Sequence, residues 1–86
     1  MAKGLLLHQV DPIYPRQAMQ KKIQGRVFLI IVIDRGGNVT KATVAQGDPI
    51  LARAAADAVK QWKYRPYTLD GKEVAVTAAV YVYFRL

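Results

Sequence analysis

Apolar residues follow two periods along this chain, and the switches between them divide it into elements. From Arg26 to Ile33 the run Val27-Phe28-Leu29-Ile30-Ile31-Val32-Ile33 is β-branched, aromatic or leucine throughout, which predicts a strand. Asp34-Arg35-Gly36-Gly37-Asn38 interrupts it. Gly36 and Gly37 supply positive φ at little cost, and Asp34 suits a turn, so this segment predicts a tight connection. Val39 to Ala45 resumes as a second strand, and the pair predicts a β-hairpin. Gln46-Gly47-Asp48-Pro49 then ends the strand and opens a helix, with Asp48 as cap and Pro49 at the first helical position. Leu51, Ala54, Ala55, Ala58 and Trp62 recur at helical spacing on one face, and Pro66 stops that helix. After a second turn at Leu69-Asp70-Gly71-Lys72, Val74 to Leu86 predicts a long third strand.

The first part of the chain is less regular. Leu5 to Val10 is a short apolar stretch suited to extended structure. Pro12 and Pro15 push Asp11 and Tyr14 toward extended geometry. Pro15 suits the start of a helix running to about Ile23, with Ala18, Met19 and Ile23 toward the core and Gly25 as its C-terminal glycine. The order helix, strand, strand, helix, strand predicts an α+β fold. Two helices cover one face of a three-stranded antiparallel sheet, and a right-handed crossover gives spatial order 2-1-3 with the third strand at an edge. In the first strand Val27, Leu29, Ile31 and Ile33 share one face, and Phe28, Ile30 and Val32 the other. A strand covered on one side alternates apolar with polar, so two apolar faces predict that the second is also covered, by a homodimer or a partner, with Tyr81 and Tyr83 joining it.

Composition narrows the function classes. At 86 residues the chain predicts one domain over residues 5–86, with Met1-Ala2-Lys3-Gly4 as an initiator and appended residues. Without cysteine, disulfides, thiolate nucleophiles and Cys-based zinc sites are excluded. The net charge of +7 is scattered, with Lys21-Lys22 the sole adjacent basic pair, which is a solvated surface and not a nucleic-acid stripe. No apolar run approaches the ~20 residues of a membrane span.

Candidate chemistry is sparse. His8 is the lone histidine, and Asp34, Asp70 and Asp48 fall in turns or at a helix start, where each has a structural use. Gly36-Gly37 joins two strands, whereas a phosphate-binding loop leads from a strand into a helix. Trp62-Lys63-Tyr64-Arg65-Pro66-Tyr67 interleaves aromatic and basic residues, as a base-stacking surface does. Trp62 continues the apolar helix face, however, so Trp62 and Tyr64 read as core residues at a helix end. No catalytic residue, metal ligand or cofactor is expected.

Four segments carry a resemblance: Tyr14-Pro15-Arg16-Gln17-Ala18; Ile23-Gln24-Gly25-Arg26-Val27; Val32-Ile33-Asp34-Arg35-Gly36-Gly37-Asn38-Val39; and Ala55 to Pro66, ending Trp62-Lys63-Tyr64-Arg65-Pro66. In order and spacing they resemble the TonB C-terminal domain family, from about Leu6 onward. The resemblance implies a periplasmic peptide-binding domain whose parent is anchored in the inner membrane of a Gram-negative bacterium with ExbB and ExbD. It implies that the domain grips the TonB box of outer-membrane transporters, coupling proton-motive force to uptake of siderophores, cobalamin or similar cargo. The box then adds as a strand beside Val76, Ala78, Val80, Tyr81, Val82, Tyr83 and Phe84, with Ile13, Tyr14 and Pro15 also in contact. Gly25, Asp34, Gly36, Gly37, Trp62, Tyr64 and Pro66 take structural roles. Ile13 stands where better-studied members have glutamine. The competing readings are a TolA-like periplasmic adaptor and a nucleic-acid-binding α+β module.

Overall fold

The computed structural model describes residues 6–86, so the expectation for Met1 to Gly4 lies outside the described residues. Seven strands and two helices follow in the order β1 (Leu6–His8), α1 (Arg16–Gln20), β2 (Gly25–Ile33), β3 (Val39–Gln46), α2 (Pro49–Val59), β4 (Lys63–Tyr64), β5 (Tyr67–Leu69), β6 (Lys72–Val74) and β7 (Val76–Phe84). The main sheet has the order β3-β2-β7, antiparallel throughout, which is the expected 2-1-3 arrangement. Two smaller antiparallel pairs, β1 with β4 and β5 with β6, are additions to that expectation.

The β2–β3 hairpin turns as its residues dictate. The Asp34 N–H donates to the Asn38 carbonyl at 2.8 Å, and the Gly37 N–H donates to the Asp34 carbonyl at 3.0 Å. The Asp34 carboxylate accepts from the Gly36 and Asn38 amides at 3.0 and 2.8 Å. Gly37 has φ +85°, and any Cβ there would collide with the Tyr64 carbonyl, so a side chain is excluded on both counts. α2 starts as expected, with Asp48 accepting from the Ile50 N–H at 2.9 Å and Pro49 opening the helix. Its Leu51, Ala52, Ala55, Ala58 and Val59 are buried, and all but Ala58 join one core cluster with Val27, Leu29, Ile31 and Ile33 of β2 and Val80, Val82 and Phe84 of β7. Small alanines let the helix approach the sheet closely.

Five local expectations are corrected. α1 ends at Gln20, not near Ile23, in a Schellman turn: the Ile23 N–H reaches the Ala18 carbonyl at 2.8 Å, and the Lys22 N–H the Met19 carbonyl at 3.1 Å. The left-handed position of that turn is Lys22, at φ 56°, and Gly25 instead opens β2 at φ +146°. Met19 is half exposed and only Ala18 of the helix is fully buried. α2 closes at Val59, well before Pro66, because Trp62 tucks under the sheet and Lys63-Tyr64 turns extended to pair with β1. The last stretch is broken near Ala75: Lys72–Val74 folds back on Tyr67–Leu69 across the Asp70-Gly71 turn, and only Val76–Phe84 joins the main sheet.

Candidate functional site: the open edge of the last strand

β7 is hydrogen-bonded to β2 on one side, and among the described residues no strand pairs with its other edge. Which residues face that edge follows from the hairpin. The Asp34 N–H points across to β3. Successive residues of a strand direct their peptide groups to opposite sides, so Ile33, Ile31, Leu29, Val27 and Gly25 direct theirs to β7. Their partners are Val76, Ala78, Val80, Val82 and Phe84. The peptide groups of Thr77, Ala79, Tyr81 and Tyr83 therefore face outward, as a row of free donors and acceptors.

This parity divides the expected site residues. Val80, Val82 and Phe84 are buried, Val76 and Ala78 are half-buried, and all five spend both side chain and peptide groups within the fold. Tyr81 and Tyr83 offer both to solvent. Thr77 and Ala79, not singled out from the sequence, belong to the edge on the same footing. Their signal was the hairpin geometry, which fixes the parity of the whole sheet and is invisible in side-chain type.

The segment before α1 is brought to the core side of the last strand, not to its edge. The Tyr14 hydroxyl donates to the Ile23 carbonyl, and its ring meets Phe84 edge-on at 5.5 Å between centroids. Pro15 is the N-cap of α1. Ile13 is 86% exposed and lies elsewhere, lining a cleft of about 700 Å³ with Asp11, Ile50, Arg53 and Asp57. No residue of β7 lines that cleft. Strand addition needs an unpaired edge and not a concavity, so the edge remains the better candidate.

The structural residues hold their places. Trp62 and Tyr64 are buried, and the Trp62 indole N–H donates to the Val10 carbonyl at 2.9 Å. Burial pushes the Tyr64 hydroxyl above its ordinary pKa. Pro66, half-buried, separates β4 from β5. Hydrogen bonds from the Asn38 and Gly36 amides lower the Asp34 carboxyl, with the Asn38 amide the main cause. His8 is exposed on β1, opposite Lys63. Among the described residues no three of His, Cys, Asp and Glu lie close enough to share a metal ion.

Fold and edge together define a class: a small α+β domain with a covered sheet face, an uncovered face and, among the described residues, no strand paired to the outer edges of β3 and β7. The family model for the Gram-negative bacterial TonB protein C-terminal matches residues 10–86, so the chain belongs to that family. It is 38% identical over 85 residues to Protein TonB of Vibrio cholerae, an alignment covering 96% of this chain and 35% of the relative. It is 39% identical over 77 residues to Protein TonB of Xanthomonas campestris pv. campestris, covering 87% of this chain and 34% of that one. The chain thus spans about a third of the length of these relatives. The solution structure of the Pseudomonas aeruginosa TonB C-terminal domain superposes with a TM-score of 0.77 at 29% identity, covering 94% of this chain and 84% of that one. The TonB2 protein of Vibrio anguillarum gives a TM-score of 0.61 at 30% identity, covering 95% of this chain and 82% of that one.

Proposed function

We propose that this domain takes a short extended peptide, the TonB box of an outer-membrane transporter, as an added strand along β7. On this reading it works in the periplasm, as the receptor-binding end of a parent anchored in the inner membrane with ExbB and ExbD. The grip couples proton-motive force to uptake of siderophores, cobalamin or similar cargo. The domain is a binding module and not an enzyme.

One observation carries the reading. β7 presents nine residues of regular strand whose outward peptide groups have no partner in the sheet. A peptide strand satisfies them while reading few side chains, which lets one adaptor serve several transporters. Each backbone hydrogen bond contributes about 0.5–1.5 kcal/mol net, so the isolated affinity is modest. Tyr14 supports this edge from beneath through Phe84. Tyr14→Ala therefore weakens the grip by loosening the end of β7.

The test exploits the parity of the strand. Tyr81→Pro removes an outward N–H, so it blocks the peptide and leaves the ladder to β2 in place. Val80→Pro removes an inward donor and breaks that ladder, costing about 1–3 kcal/mol for the buried acceptor left unpaired. Titration of isotope-labelled protein with a TonB-box peptide, beside thermal melts, separates the two. Shifts are expected along β7, with binding lost in Tyr81→Pro at near-unchanged melting. Shifts that miss β7, or a Tyr81→Pro variant that binds normally, overturn the reading.

A further inference from the structure

Both helices lie on one side of the main sheet, and the opposite face carries an apolar stripe that no described residue covers. Phe28, Ile30 and Val32 of β2 form its centre, with Ile30 37% exposed. Tyr81 and Tyr83 of β7 flank it, 49% and 56% exposed. Phe28 and Tyr81 stack at 4.8 Å, and the Arg26 guanidinium sits over the Tyr81 ring at 5.0 Å. Lys41, across from Val32, supplies a second cation on this face. Arg85 joins Arg26 and Tyr83 in a shallow cleft at the end of the sheet, and no acidic residue lines it. The strand positions of this face include no carboxylate at all: opposite Phe28, Ile30 and Val32 stand Gln46, Thr43 and Lys41 on one side and Tyr81, Ala79 and Thr77 on the other.

These observations select the occupant. A second copy would bring the same Arg26, Lys41 and Arg85 against their equivalents, and like charges facing one another are unfavourable. Nucleic acid would need open ring faces for its bases, but the Tyr81 ring is stacked on Phe28 and capped by Arg26. The rings therefore stand as braced apolar anchors beside guanidinium groups, the combination enriched at protein interfaces. Phe28 to Val32 spans roughly 13 Å along the strand, which about three helical turns cover. α2 covers the opposite face of the same strand with 11 residues.

We propose that the open face of the β3-β2-β7 sheet docks an acidic amphipathic helix of a partner protein, its apolar stripe on Phe28, Ile30 and Val32 and its carboxylates on Arg26, Lys41 and Arg85. This surface is separate from the β7 edge, since it uses side chains on the sheet face and not the outward peptide groups. A helix has no free edge and cannot add as a strand, so the two modes are distinguishable.

The experiment titrates labelled protein with a synthetic helical peptide carrying Leu at i, i+3, i+4 and i+7 and Glu elsewhere. A control peptide has Lys in place of Glu. The Ile30 and Val32 methyl signals and the Phe28 and Tyr81 ring signals should move with the acidic peptide and remain still with the basic one. The double variant Arg26→Glu, Lys41→Glu replaces exposed residues, and a melt confirms that it folds. It should weaken binding by about tenfold or more, since each reversed contact turns attraction into repulsion. Addition of a TonB-box peptide should leave the helix bound, whether or not the edge reading holds. The proposal is overturned if the acidic and basic peptides bind alike or if the shifts fall only on the outer amides of β7. It is equally overturned if the face signals move with protein concentration alone, as in a dimer, or respond to single-stranded DNA in preference to the peptide.

Discussion

Trp62 shows how one side chain can close a small core and also tie down a distant piece of chain. Its ring is 6% exposed and lies at a tilt to Tyr64, with 6.5 Å between centroids. Its indole N–H reaches the carbonyl of Val10, 52 positions earlier. Trp62→Ala removes both contributions, and loss of a buried tryptophan side chain costs about 3–5 kcal/mol. Against a typical domain stability of about 5–15 kcal/mol, that leaves a substantially unfolded population at physiological temperature. Trp62→Phe keeps most of the packing and loses the hydrogen bond, so it should cost considerably less. Denaturant melts of the two variants check this: the alanine variant should melt far earlier, and the phenylalanine variant between it and the parent. Equal losses would mean that the hydrogen bond, and not the ring volume, dominates.

At the scale of elements, the turns show what the sequence expresses and what it hides. The Asp34–Asn38 connection was legible because its chemistry is local: a carboxylate that accepts from two amides four residues apart at most, and a glycine where only glycine fits. Those hydrogen bonds hold the Asp34 carboxyl below its ordinary value of 3.8. A carboxyl lowered by folding contributes stability above its unfolded pKa and loses it as pH falls through the lowered value. Asp34→Ala should therefore destabilise the protein at neutral pH, and the gap in melting temperature should close as pH falls below 3.8. The end of α1 was illegible for the opposite reason. Ile23 continues a helical spacing, but the chain turns left-handed at Lys22, a residue with no preference for that conformation. A left-handed non-glycine residue costs about 1–2 kcal/mol, partly offset in a glycine variant by greater unfolded-state freedom. Lys22→Gly should thus stabilise the domain by about 0.5–1 kcal/mol in a thermal melt, an increase from removing a side chain. β4, β5 and β6 were missed because two or three residues hold no period, and their pairings are decided by contacts far along the chain. The candidate site was half legible on the same grounds. The strand type of Val76 to Phe84 is written in its residues, but the outward set of Thr77, Ala79, Tyr81 and Tyr83 depends on a register fixed at the far end of another strand.

Across the whole molecule, the start of the chain is stitched to its middle by contacts independent of the main sheet's ladders. β1 pairs with β4, setting Leu6 opposite Tyr64 and His8 opposite Lys63. β4 in turn meets the β2–β3 hairpin, where the Tyr64 N–H donates to the Gly37 carbonyl at 2.8 Å and Asn38 bridges to Lys63. Val10 receives the Trp62 indole, and Leu6 and Val10 pack against the core. The family match begins at residue 10, so β1 lies before the region that defines the family and still completes this packing. A chain beginning at Asp11 would leave β4 without a partner strand and the Trp62 indole without an acceptor. With two or three hydrogen bonds at about 0.5–1.5 kcal/mol each and roughly 1 kcal/mol each for Leu6 and Val10, the loss should total about 3–6 kcal/mol. Neither β1 nor β4 pairs with β7, so the edge itself is untouched. The truncated protein should melt earlier while its folded fraction binds a TonB-box peptide with unchanged affinity. Melts and a peptide titration corrected for the folded fraction measure the two separately. A parallel fall in affinity would show that the N-terminal strand also shapes the grip, and an unchanged melt would show that the β1–β4 pair contributes nothing to the fold.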